Sequence, residues 1–123
     1  MTRRRDLLGL ALASGLPPAF LRHARAADTA RFALGIASGS PQATGLVLWT
    51  RLTGDELPPQ VEVRWELAHD EAFTRIAARG SETARAADGH SVHAEPAGLE
   101  PGRWYWYRFS ALGQQSAAGR TRT

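Results

Sequence analysis

The stretch Leu99-Glu-Pro-Gly-Arg-Trp-Tyr-Trp-Tyr-Arg-Phe109 decides the fold of this 123-residue chain. It places a proline two residues after Leu99 and a tyrosine six residues after it, at the start of an aromatic run. This spacing of Leu99, Pro101 and Tyr105 is typical of the tyrosine corner, a feature of Greek-key β-sandwiches. We therefore expect the Tyr105 hydroxyl to hydrogen-bond to the backbone near the preceding turn, which is a structural role.

The aromatic run carries large side chains on both faces of the strand that it predicts. Alternation along a strand places Tyr105, Tyr107 and Phe109 on one face, and Trp104 and Trp106 on the other. A small sandwich needs only one of these faces for its core. The tryptophan face is therefore covered by a loop, exposed to solvent, or buried against another domain. This makes Trp104 and Trp106 candidate interface residues.

Short apolar runs separated by Gly, Pro and Asp continue back to Arg31 and predict further strands. Trp49 and Trp65 lie in two of these runs and are predicted to be structural. Residues 69–74 could form a helical turn, but we expect them to round a strand end. We predict an all-β, fibronectin type III or immunoglobulin-like Greek-key sandwich over residues 31–123, with about seven strands near 31–37, 45–52, 61–68, 75–79, 90–95, 103–111 and 116–121.

The segment before this domain, residues 1–26, has the pattern of an export signal. Arg4 and Arg5 are followed, after one intervening residue, by Leu7 and Leu8. This arrangement matches the signal of the twin-arginine route, which carries folded proteins. An ordinary secretion signal is the alternative. The prediction is export by the twin-arginine route to the periplasm or the extracellular space.

The apolar part of this signal is short and mild. It covers residues 7–16, and about ten residues in a helix span only half of a bilayer core, so no stable membrane anchor is expected. Ala24 and Ala26 then supply the small residues that precede a cleavage site. The predicted mature chain therefore begins at residue 27.

Charge and cysteine content exclude several classes of function. All 15 basic residues are arginine, and five of them precede residue 27. The remainder carries ten arginines against eleven acidic residues, so it has no basic excess that would favour nucleic acid. The sequence contains no cysteine, which excludes disulfides and cysteine-ligated metal sites.

No complete catalytic or metal site can be assembled from the remaining polar residues. His90 and His93 are three residues apart on a predicted strand, so their side chains point to opposite faces. Ser38 and Ser40 lack a histidine or aspartate at a spacing that would support a nucleophile. We therefore predict no catalytic, cofactor or metal residues, and interpret two acidic pairs as solvated turn charges: Asp55–Glu56 and Asp70–Glu71.

Five motifs, in this order, resemble the N-terminal domain of the PhoD-like (D-type) alkaline phosphatases. They cover nearly all of the chain after the signal. One departure is Ser40, where that family usually has an acidic residue. The motifs are FALGIASG at 32–39, VLWTR at 47–51, GHSVH at 89–93, GLEPGRWYWYRF at 98–109 and GRTRT at 119–123.

The resemblance implies that this chain corresponds to the N-terminal domain of a larger enzyme. Members of that family are metal-dependent phosphomonoesterases and phosphodiesterases, described with calcium and iron. Their metal ligands and nucleophile lie in a metallophosphoesterase domain that follows the matched region. That catalytic domain is the partner the resemblance implies, and none of its catalytic residues has a counterpart among these 123 positions.

Two hypotheses follow. In the first, the chain is the non-catalytic N-terminal domain of an exported PhoD-like phosphatase and has no phosphatase activity alone. In the second, it is a stand-alone binding module of the cell envelope that holds a sugar or a protein on the face of Trp104 and Trp106. Loss of ligand binding on substitution of Trp106 would favour the second.

Overall fold

The computed structural model describes residues 30–123. The predicted export signal, with Arg4, Arg5, Leu7, Leu8, Ala24 and Ala26, lies outside the described residues. Within residues 30–123 no helix is long and apolar enough to cross a membrane. The described part holds one 3₁₀ turn, Ala86–Asp88, and eight β-strands: β1 Ile36–Gly39, β2 Val47–Arg51, β3 Gln60–Ala68, β4 Ile76–Arg85, β5 Ser91–Ala94, β6 Trp104–Ala111, β7 Gln114–Gln115 and β8 Gly119–Arg122.

The strands form two antiparallel sheets that pack face to face. The first sheet has the order β1-β2-β5, and the second has β4-β3-β6 with both β7 and β8 paired to β6. The chain changes sheet three times: between β2 and β3, between β4 and β5, and between β5 and β6. Strand β4 pairs with β3 in the second sheet, as in the fibronectin type III arrangement. The predicted all-β sandwich is confirmed. There are eight strands rather than about seven because the short strand β7, Gln114–Gln115, was not predicted; the last predicted strand, near 116–121, corresponds to β8.

The core lies between the inner faces of the two sheets, as the alternation of β3 and β6 predicts. β3 buries every second side chain from Val61 to Leu67, and β6 buries Tyr105, Tyr107 and Phe109. The first sheet covers them with its own inward side chains. The fully buried large residues are Tyr105, Phe109, Leu48, Leu67, Val63 and Val92.

The predicted strand near 31–37 is wrong over its first half. Residues 32–35 form a turn closed by the hydrogen bond from the Gly35 N–H to the Phe32 carbonyl, at 3.0 Å. Gly35 has φ of +88°, which an L-residue rarely adopts, so the chain cannot run straight through this point. Strand β1 therefore begins at Ile36 and continues to Gly39.

Strand β4 is twice as long as the predicted strand at 75–79. Its second half, Gly80 to Arg85, is polar and mostly exposed, so it lacks the apolar alternation of a half-buried strand. Pairing with β3 extends it, since β3 offers backbone partners as far as the Gln60–Arg85 pair. The length of β4 is thus set by its neighbour rather than by its own side chains.

The segment between β3 and β4 rounds the strand end without forming a helix, as expected. Asp70 closes it, because its carboxylate accepts hydrogen bonds from the Thr74 hydroxyl and from the backbone N–H groups of Thr74 and Arg75. The hydrogen bond from the Thr74 side chain and that from the Arg75 backbone lower the pKa of Asp70 to about 2. The closed loop carries Phe73 into a buried position.

Candidate functional site

The tyrosine corner is present at the start of β6. The Glu100 N–H donates a hydrogen bond of 2.8 Å to the Tyr105 hydroxyl, so the predicted link to the preceding turn is confirmed. Leu99 is buried and its N–H donates to the Thr44 carbonyl, which ties this turn to the loop before β2. Pro101 lies exposed at the turn itself. The corner fixes the end of the sandwich at which Trp104 begins β6.

The outer face of β6 begins with Trp104, whose side chain is 48 % exposed. Trp106, two residues on, is half-buried on the same face. Strand β8 lies alongside, and its register places Arg122 opposite Trp104 and Arg120 opposite Trp106. The Arg120 guanidinium lies 4.5 Å from the Trp104 ring centre and 5.5 Å from that of Trp106. The Arg122 guanidinium lies 5.5 Å from the Trp104 ring.

These four residues, Trp104, Trp106, Arg120 and Arg122, form the tryptophan–arginine patch. Of these, only the two tryptophans are predicted from the sequence as interface residues. A signal for the arginines was present in Gly119-Arg-Thr-Arg, because alternation with a buried Thr121 puts both arginines on the outer face.

The neighbouring part of the same outer face is covered by the protein itself. Arg108 forms an ion pair with Glu66 at 3.0 Å, and Arg79 lies 3.6 Å from the same carboxylate. The Arg108 guanidinium also lies 4.0 Å from the ring centre of Phe73, which the loop between β3 and β4 brings over the sheet. The domain's own loop therefore covers the face around Arg108 and leaves Trp104 at its rim.

A second exposed tryptophan lies on the opposite side of the sandwich. Trp49 in β2 points away from the core and is 36 % exposed, so it is not a core residue. The Trp49 and His93 rings pack edge to face with 5.8 Å between their centres. The Trp49 ring also lies against Gly39, where a Cβ atom would crowd it. Leu34 is exposed nearby. Trp65, the other tryptophan with a predicted structural role, is buried in the core.

The polar residues considered for catalysis are dispersed. His90 contacts the Pro58 carbonyl through Nε2 at 2.7 Å, whereas His93 contacts Glu95 at 3.2 Å. Ser38 lies beside the Tyr107 hydroxyl; burial of this tyrosine raises its pKa, which Ser38 partly offsets. Among residues 30–123 no group of three or more His, Cys, Asp or Glu side chains is placed to hold a metal ion.

Comparison with known proteins gives a consistent assignment. Residues 15–123 match the family described as "PhoD-like phosphatase, N-terminal domain". The chain is 42 % identical over 122 residues to alkaline phosphatase D of Bacillus subtilis (strain 168), a match that covers 94 % of this chain and 21 % of that protein. The chain thus spans about one fifth of the length of this curated relative.

Solved structures agree with the sandwich. The "Structure of PhoD" superposes with a TM-score of 0.74 at 44 % identity, over 77 % of this chain and 19 % of that one. The sensor domain of the anti-sigma factor RsgI4 from Pseudobacteroides cellulosolvens superposes with a TM-score of 0.53 over 72 % of this chain and 90 % of that one. Its identity is 14 %, so it shows a shared fold only.

Proposed function

The chain belongs to the PhoD-like phosphatase family and matches its N-terminal domain. We propose that it is the non-catalytic N-terminal domain of an exported, metal-dependent phosphatase or phosphodiesterase. The observation that carries the proposal is the asymmetry of the match, which covers 94 % of this chain but 21 % of alkaline phosphatase D. Most of such a protein, including its catalytic machinery, belongs to the part beyond the matched region.

The calcium and iron implied by the resemblance do not fit the described residues. No three potential ligands converge within residues 30–123, and the two histidines of the GHSVH motif bind different neighbours. We therefore assign both metals to the metallophosphoesterase domain of the longer protein. No step of the reaction is assigned to this domain.

The first prediction concerns activity. The purified chain should hydrolyse p-nitrophenyl phosphate no faster than a protein-free blank, with or without added Ca²⁺ and iron, because it has no metal-ligating cluster in its described part. Alkaline phosphatase D from Bacillus subtilis serves as the positive control under the same conditions. Metal-stimulated hydrolysis that co-purifies with the chain would contradict the proposal.

A second prediction concerns export, which rests on the sequence of residues 1–26. Replacing both Arg4 and Arg5 by lysine should leave uncleaved precursor in the cytoplasm, since the twin-arginine pair identifies this route. Cell fractionation and immunoblotting measure the precursor and mature forms. The matched control is Arg3→Lys, which keeps the pair and should be exported normally. Undiminished export of the double variant would show that another route is used.

A further inference from the structure

The tryptophan–arginine patch combines an exposed aromatic surface with positive charge. Trp104 is 48 % exposed, whereas the inward residues of β6 are buried in the core and Arg108 on the outer face is covered by Phe73. Tryptophan and arginine are enriched among the residues that contribute most to binding at protein interfaces. The fold itself does not require this side chain, because Tyr105, Tyr107 and Phe109 already fill the core from β6.

The two arginines of the patch have no acidic partner in the domain. Within residues 30–123, neither Arg120 nor Arg122 takes part in an ion pair, in contrast to Arg103 and Arg108. Both guanidiniums lie over the faces of tryptophan rings. Both guanidiniums therefore retain donors for carboxylates or carbonyl oxygens of an opposing surface, while the indole supplies the apolar centre.

The patch lies beside residue 123, the last residue of the region that matches the family. Arg122 is the register partner of Trp104, and the next residue is Thr123. Thr123 is held at this point because its hydroxyl accepts a hydrogen bond of 3.0 Å from the Arg103 N–H and donates one of 2.7 Å to the Glu100 carbonyl. Its own N–H donates to the Arg103 carbonyl at 3.1 Å. In the longer relatives, the polypeptide that follows the matched region must therefore start beside Trp104.

We propose that the tryptophan–arginine patch is the docking surface for the catalytic domain that follows in full-length members of the family. This inference rests on the proposed function, which supplies the occupant. A tether fixed at Thr123 gives that domain a high effective concentration at the patch. The opposing surface accepts the Trp104 indole in an apolar recess bordered by acidic or carbonyl acceptors for Arg120 and Arg122.

The experiment uses a chimera in which residues 30–123 replace the matched segment of Bacillus subtilis alkaline phosphatase D. Hydroxyl-radical footprinting with mass spectrometry then compares the oxidation rate of Trp104 in the chimera and in the isolated chain. Trp49 is the internal control, since it is exposed on the other sheet. We expect oxidation of Trp104 to slow severalfold, because the centre of a protein interface excludes water, with Trp49 unchanged.

A charge variant tests the arginines separately from the tryptophan. Arg120→Glu with Arg122→Glu in the chimera should restore fast oxidation of Trp104, because like charges would face each other across the interface. The matched control is Arg64→Glu, an exposed arginine on the outer face of β3 in the same sheet. This control should leave the protection of Trp104 intact.

The possible results distinguish a failure of the proposed docking surface from a failure of the proposed function. An active chimera in which Trp104 stays as reactive as in the isolated chain, or in which Trp49 is protected instead, overturns the docking surface and leaves the proposed function standing. Metal-stimulated hydrolysis by the isolated chain overturns the proposed function. If the chimera does not accumulate, the same footprint is taken on the chain mixed with the relative's post-match fragment. Protection there supports docking, and unchanged reactivity at saturating fragment rejects it.

Discussion

Replacing Phe109 by alanine is expected to lower the free energy of unfolding by about 3–5 kcal/mol, the usual cost of truncating a buried phenylalanine. Phe109 is fully buried at the centre of β6, where its register partner in β3 is Trp65. Its ring also meets that of Tyr107 edge-on, with 6.5 Å between ring centres. A cavity at this place removes contacts from both sheets. Small domains have about 5–15 kcal/mol of total stability, so the variant should be largely unfolded in mild denaturant.

Urea unfolding followed by tryptophan fluorescence measures this change. The matched control is Leu112→Ala, an apolar residue three positions along that is 45 % exposed in the turn after β6. Its truncation should change stability by about 0.5 kcal/mol or less, as surface substitutions usually do. Equal losses in the two variants would show that Phe109 does not lie in a packed core.

The second large effect is expected at Gly80, where alanine should cost about 1–3 kcal/mol through overpacking. Gly80 is the register partner of Trp65 across β3 and β4, and the Trp65 indole lies over it. A Cβ atom at residue 80 would lie 2.5 Å from Cζ2 and 2.8 Å from Cε2 of that ring. These are atoms of a rigid, buried ring system, so the indole must move out of the core or the strands must separate.

A double-mutant cycle tests whether the indole is the cause. In a Trp65→Leu background, Gly80→Ala should cost little, because leucine has no ring over residue 80 and alanine loses less conformational entropy in a strand than glycine. Ser81→Ala, the exposed neighbour in β4, is the control for a general effect of substitution. An equal cost of Gly80→Ala in both backgrounds would mean that the clash is not with Trp65.

The sequence predicted those elements in which side chains alone carry the pattern. In β3, the alternation from Val61 to Leu67 identifies the inner face without reference to any other strand. The tyrosine corner is likewise local, since Leu99 and Tyr105 are separated by one turn. For these elements, burial and a short-range hydrogen bond are enough to specify the structure.

Prediction failed where structure depends on a partner strand or on backbone conformation. The polar half of β4 is a strand because β3 pairs with it, and nothing in Gly80-Ser-Glu-Thr indicates this. The alternation of Phe32, Leu34 and Ile36 imitates a strand, but Gly35 adopts a conformation that turns the chain. A positive φ value cannot be read from apolar spacing.

The outer surfaces were predictable only in part. The alternation of Leu48 and Thr50, both buried, places Trp49 on the outside, yet a tryptophan inside an apolar run favours the opposite interpretation. For Trp104 and Trp106, the sequence identified the face but not what lies on it. The stacking of Arg120 depends on β8 pairing with β6, a contact between distant segments.

The position of β8 in the chain also determines when the second sheet can be completed during synthesis. It comes last among the described strands in chain order, and it completes the second sheet by pairing with the first half of β6. Until Thr123 has left the ribosome, Trp104 to Tyr107 lack a neighbour on that side. Because synthesis proceeds from the N-terminus, all three strands of the first sheet are available for pairing before the second sheet can be completed.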